Sequence, residues 1–137
     1  SDRDNSELRE LWKPILDEFK VDLVLSGHDH SYARTGQINK ETLTNVPSGY
    51  QQAYDPEIGT VYVVSVSGPK MYGITKGNYA KRIAENTQLY QVIHVNDKNI
   101  RYEAYEATGK LYDKFTLEKR DNLPNLLIEA LPDANRK

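Results

Sequence analysis

Apolar residues recur at three- and four-residue intervals through Leu8, Leu11, Trp12, Ile15, Leu16 and Phe19, which is the stripe of an amphipathic helix. Asp4 with Glu7 is a candidate capping box, with Ser6 as a rival N-cap. Pro14 either kinks this helix or starts a second one at its first turn. Trp12 lies on the stripe and is expected in the core. The period then changes. Val21-Asp22-Leu23-Val24-Leu25-Ser26 is a short apolar run, and such a run behind a helix reads as a buried parallel strand. From Gly36 to Gly59 the pattern dissolves into polar and turn-forming residues, with Pro47-Ser48-Gly49 and Asp55-Pro56 as turns, so a long loop is expected. In it Tyr50 and Tyr54 suit anchoring against the sheet better than substrate contact. Thr60 to Ser67 is apolar on both faces and predicts a central strand closed by Gly68-Pro69.

The rest of the chain alternates. Leu89, Gln91, Ile93 and Val95 share one face, Ile100, Tyr102 and Ala104 the next, and Leu111, Asp113, Phe115 and Leu117 a third. Turns at Asn96-Asp97-Lys98-Asn99 and Thr108-Gly109-Lys110 make these a three-strand antiparallel meander. His94, mid-strand between Ile93 and Val95, reads as a surface histidine. Leu123 to Leu131, interrupted by Pro124 and closed by Pro132, is expected to be a docking helix, followed by a frayed tail from Asp133 to Lys137.

Composition narrows the function classes. The 137 residues are one domain's worth and carry 18 basic and 20 acidic side chains, for a net charge of −2. No basic arm or stripe provides the footprint of a nucleic-acid binder. With no cysteine, disulfides, thiolate metal sites and cysteine nucleophiles are excluded. The longest apolar stretch, Val61 to Val66, falls far short of the roughly 20 residues of a membrane span.

One segment carries chemistry. Gly27-His28-Asp29-His30-Ser31-Tyr32-Ala33-Arg34 follows the first strand, at the carboxyl end where α/β sheets gather their ligands. In extended backbone, residues i and i+2 project from one side with Cα atoms about 7 Å apart, so His28 and His30 could point into one cavity. Two-metal hydrolytic sites hold their ions roughly 3.5–4 Å apart, which converging imidazoles would suit. Gly27 would let the backbone turn or pass close beneath a ligand. By itself Gly-His-x-His is a weak motif, and incidental histidines at a strand-ending turn are the simpler alternative.

The stretch from Leu16 to Thr35, a helix end, a strand and then Gly-His-Asp-His-Ser-Tyr-Ala-Arg-Thr, resembles the last metal-binding motif of calcineurin-like metallophosphoesterases, the purple acid phosphatase branch above all. The ending Thr-Gly-Lys-Leu-Tyr-Asp-Lys-Phe-Thr-Leu-Glu-Lys resembles the final hairpin of the same branch. The resemblance implies the C-terminal part of a four-layer α/β/β/α fold, with one parallel strand plus a mixed or antiparallel sheet. Residues 1–120 would be the C-terminal portion of that domain and 121–137 an extension. His28 and His30 would each ligate a different one of two metal ions, iron, zinc or manganese. Asp29 would lie outside the ligand set, and Tyr32 and Arg34 would bind substrate. The family's usual glutamate between those two is replaced by Ala33, as in a bacterial relative. Lys70, in Lys70-Met71-Tyr72-Gly73, would lie in a loop beside the site, within reach of a phosphate or simply solvated.

The family's earlier motifs, Asp-x-His, Gly-Asp-x-x and Gly-Asn-His-Glu or Gly-Asn-His-Asp, do not occur in these 137 residues. The chain is therefore expected to be the C-terminal piece of a phosphoric ester hydrolase, inactive without the missing N-terminal half of the domain. Its expected partners are that half, a phosphoester substrate, and a second copy through an exposed sheet edge. The resemblance points to a periplasmic or extracellular setting. The rival expectation is a metal-free binding or self-assembling β-rich module with incidental histidines.

Overall fold

A computed structural model describes residues 6–38, 59–74 and 80–129. The chain opens with α1 (Ser6–Glu18), a single helix that runs through Pro14. It ends because Lys20 takes a left-handed φ of 51°. Val21 N then donates to Leu16 O and Lys20 N to Asp17 O, the paired bonds that satisfy the last carbonyls of a helix.

Two four-stranded sheets follow. The first contains β1 (Leu23–Ser26), β2 (Tyr32–Ile38), β3 (Thr60–Val64) and β4 (Arg82–Ala84), in the order β1-β3-β2-β4. β1 runs parallel to β3, and the other pairings are antiparallel. The β2–β3 register slips between Arg34 and Gln37, and the Thr35 hydroxyl accepts from Tyr62 N at 3.0 Å, replacing a ladder bond lost at the bulge. The second sheet is a meander of β5 (Leu89–Val95), β6 (Asn99–Glu106), β7 (Leu111–Glu118) and β8 (Leu126–Glu129), each antiparallel to the next.

The core joins the two sheets. Tyr32, Val61, Val63 and Ala84 from the first meet Leu89, Tyr102, Ala104, Phe115 and Leu117 from the second in one buried cluster. The central strand expected from Thr60 onward is β3, and the expected meander is β5 to β7. Among the described residues no helix is long and apolar enough to cross a membrane.

Four expectations change. The run before the histidines is parallel as expected but, among the described residues, forms an edge strand, with Leu25 exposed. The stripe of α1 does not enter the core: Leu8, Leu11, Trp12, Ile15 and Phe19 are exposed, Trp12 by 54%, and the inward side chain is instead Lys13, held by Asp17 at 2.8 Å. As far as Glu129, where the described residues end, the segment after Arg120 contains no helix. Pro124 precedes β8, which adds a fourth strand to the meander. Finally, the polar stretch starting at Gly36 is still strand as far as Ile38, while Tyr50, Tyr54 and the tail lie outside the described residues.

Candidate functional site

His28, Asp29 and His30 occupy the bend between β1 and β2, beyond the carboxyl end of the parallel pair. Ser26 ties that end down, its hydroxyl donating to Val63 O at 3.3 Å and its carbonyl accepting from Ser65 N at 3.1 Å. The chain then reverses tightly, with Ser31 N donating to Asp29 O at 2.8 Å. His28 adopts a φ of 77°, a region costly for a side chain with Cβ although histidine visits it more than most. The extended backbone expected at the two histidines is thus replaced by a bend. The unusual backbone lies on His28 and not on Gly27, where an added Cβ would meet nothing within 4 Å. His28 is exposed; Asp29 and His30 are half-buried.

His30 is held by the segment after β3. Its Nδ1 lies 2.6 Å from Lys70 O. Since a carbonyl only accepts, Nδ1 carries the proton and the lone pair of the neutral ring sits on Nε2. This is the arrangement in which metal-binding imidazoles are commonly oriented by a carbonyl on their far side. Tyr72 packs its ring at 4.7 Å between centroids and donates its own N–H to His30 O at 2.8 Å.

Tyr32 and Arg34 go elsewhere. Both were expected to bind substrate; both are 0% exposed and face the interior. β2 alternates, and its inward face puts both against Asp113 of β7. Arg34 donates Nε and Nη2 to the two Asp113 oxygens at 2.6 and 3.1 Å, and Tyr32 donates its hydroxyl to Asp113 at 2.7 Å. Glu129 of β8 takes Arg34 Nη1 at 2.7 Å, and Arg82 approaches Asp113 at 4.0 Å. Burial opposes the Arg34 charge, but the bonds and charge of Asp113, with Glu129, outweigh it and raise its pKa further. Burial, reinforced by the Asp113 charge, pushes the Tyr32 phenol far above its ordinary range. Alternation puts Asp113 on one face of its strand with Leu111, Phe115 and Leu117. A lone aspartate at an inward position was the signal that a buried cation faces it.

His94 lies on the outer face, 53% exposed, with Nε2 3.9 Å from Glu103. The described residues contain no group of three or more His, Cys, Asp or Glu side chains that could hold a metal ion. The β1–β2 bend presents two imidazoles, His28 and His30. Catalytic zinc sites, for comparison, use three protein ligands.

No family model matches the chain. Uncharacterized proteins from two strains of Mycobacterium tuberculosis are 35% identical to it over 66 residues, 44% of this chain and 12% of theirs. Among solved structures it is similar to a purple acid phosphatase from yellow lupin (Lupinus luteus) seeds, with a TM-score of 0.55 at 23% identity over 78% of this chain and 19% of that one. The mixed α/β architecture, two sheets with one parallel pair, is thus similar to the purple acid phosphatase fold. The chain spans about an eighth of the length of the curated relatives it matches.

Proposed function

We propose that this chain is the C-terminal portion, residues 1–120 with an extension to 137, of a metal-dependent phosphoric ester hydrolase of the purple acid phosphatase kind, to which it contributes His28 and His30. The observation that carries this reading is the His30 imidazole, whose Nδ1–H is taken by the Lys70 carbonyl so that the lone pair lies on Nε2, in a bend that also presents an exposed His28. The fold likeness to a phosphatase supports it. The donor chemistry fits: two imidazoles suit zinc, iron or manganese as members of a larger set. Bound there, such ions would supply a nucleophilic hydroxide near neutral pH and charge stabilisation for the transferring phosphoryl group. His28 and His30 bind, and the β1–β3 pair fixes their place. Tyr32 and Arg34 hold β2 against the second sheet. With two donors from this chain, the remaining ligands come from polypeptide beyond these residues, and the chain alone is inactive.

The test is hydrolysis of a chromogenic phosphomonoester by the full-length protein supplied with zinc, iron or manganese. His28→Ala or His30→Ala should each lower kcat/KM by about 100-fold or more. An unimpaired His30→Ala enzyme would refute the assignment.

A second reading, a self-assembling β-rich module, is favoured by the edge of the meander. Among the described residues β5 has a neighbour on one side only, carries no formally charged side chain and no proline, and exposes Tyr90, Val92 and Val95. Such an edge is a template for antiparallel pairing with a second copy. Light scattering that showed a clean monomer at high concentration would exclude it.

A further inference from the structure

The peptide from Lys70 to Tyr72 grips both ends of His30. On the backbone side, Tyr72 N donates to His30 O at 2.8 Å. On the side-chain side, His30 Nδ1 donates to Lys70 O at 2.6 Å. The Tyr72 ring lies over the imidazole at 4.7 Å between centroids, tilted by 38°. The Lys70 ammonium is 5.3 Å from the centre of that same ring. The loop closes on itself: the residue whose carbonyl receives the imidazole proton is tied by its own side chain to the ring stacked on that imidazole.

We infer that this segment is a positioning device for His30, with Tyr72 as its central residue, fixing the Nδ1–H tautomer and presenting Nε2 as a metal donor. The inference rests on the proposed reading of His30 as a ligand and adds two residues to it. The other tautomer would set the Nδ1 lone pair against the Lys70 carbonyl, a flipped ring would put Cδ2–H there in place of the hydrogen bond, and the stacked phenol limits rotation. Tyr72 touches neither metal nor substrate in this role. It acts through His30, as groups behind metal-bound histidines do when their loss weakens metal binding by about 10- to 100-fold.

The experiment uses the 137-residue chain. Long-range nitrogen–proton NMR correlations at about pH 8, where an ordinary imidazole is neutral, report the tautomer of each histidine. Zinc ion is then titrated while the His30 resonances are followed. His30 should be the Nδ1–H tautomer and shift at Nε2 with zinc. Tyr72→Phe, which keeps the ring and the backbone N–H, should preserve both results. Tyr72→Ala should give mixed tautomers and zinc binding weaker by about 10-fold. Lys70→Ala, which keeps the carbonyl, should change zinc affinity far less than Tyr72→Ala.

The device is refuted if wild-type His30 is the Nε2–H tautomer, or if Tyr72→Ala, folded by circular dichroism, alters neither tautomer nor affinity. If the tautomer responds to Tyr72→Ala but zinc never shifts His30, the ligand reading fails and the positioning role falls with it. The metal-free tautomer and the zinc response thus separate the two failures.

Discussion

Replacing Asp113 by alanine should be the most damaging single change in the described core. Asp113 is 0% exposed and accepts three hydrogen bonds, two from Arg34 and one from Tyr32, both equally buried. Alanine leaves the Arg34 guanidinium in the interior with Glu129 as its one remaining ion-pair partner among the described residues, and the Tyr32 hydroxyl loses its Asp113 acceptor. Removing one partner of a buried ion pair typically costs 3–5 kcal/mol, about a third or more of the stability of an ordinary domain. With a urea dependence of about 2 kcal/mol per molar, the unfolding midpoint should fall by roughly 2 M. The assay is urea unfolding of the 137-residue chain by circular dichroism, alongside Arg34→Met, Asp113→Leu and the double variant that combines these two. The double variant should recover most of the loss, because the fully buried pair is replaced as a unit by hydrocarbon and the carboxylate that loses Arg34, Glu129, is 31% exposed and can be solvated. A loss below about 1 kcal/mol for Asp113→Ala, or a double variant as unstable as the sum of the singles, would refute the reasoning.

The other expectations are smaller. Trp12→Ala should cost under about 1 kcal/mol in the same assay, since Trp12 is 54% exposed, where a buried tryptophan would cost about 3–5 kcal/mol. Glu103 titrates below its ordinary value because Lys114 donates to it at 2.9 Å, which outweighs burial. Its native pKa being the lower one, its contribution is present above the unfolded value of 4.5 and is lost as pH falls from there through the native pKa. Acid unfolding of Glu103→Gln should therefore be less steep over that window, and an unchanged profile would count against the pairing. Val95→Lys on β5, at a side chain 70% exposed, should abolish any self-association seen by light scattering while leaving the unfolding midpoint within about 0.5 kcal/mol of the parent.

Short-range patterns were legible. The spacing of Leu8, Leu11, Ile15 and Phe19 marked α1, and period-two alternation marked β5, β6 and β7, because a residue's face within one element follows from its count along the backbone. The histidine motif was visible for the same reason: four adjacent residues need no partner to be recognised. Tyr32 and Arg34, two apart in β2, share a face, but nothing local says that the face is interior. That was decided by Asp113, 79 residues away from Arg34, since a buried guanidinium is tolerable only where a carboxylate meets it. In the same way the apolar stripe of α1 specified a helix without specifying what covers it, and in the folded chain those apolar side chains are exposed while Lys13 is buried. The tautomer of His30 hangs on a carbonyl 40 residues downstream. Periodicity is a property of one segment, whereas charge burial and proton placement belong to pairs of segments, and only the folded chain brings those pairs together.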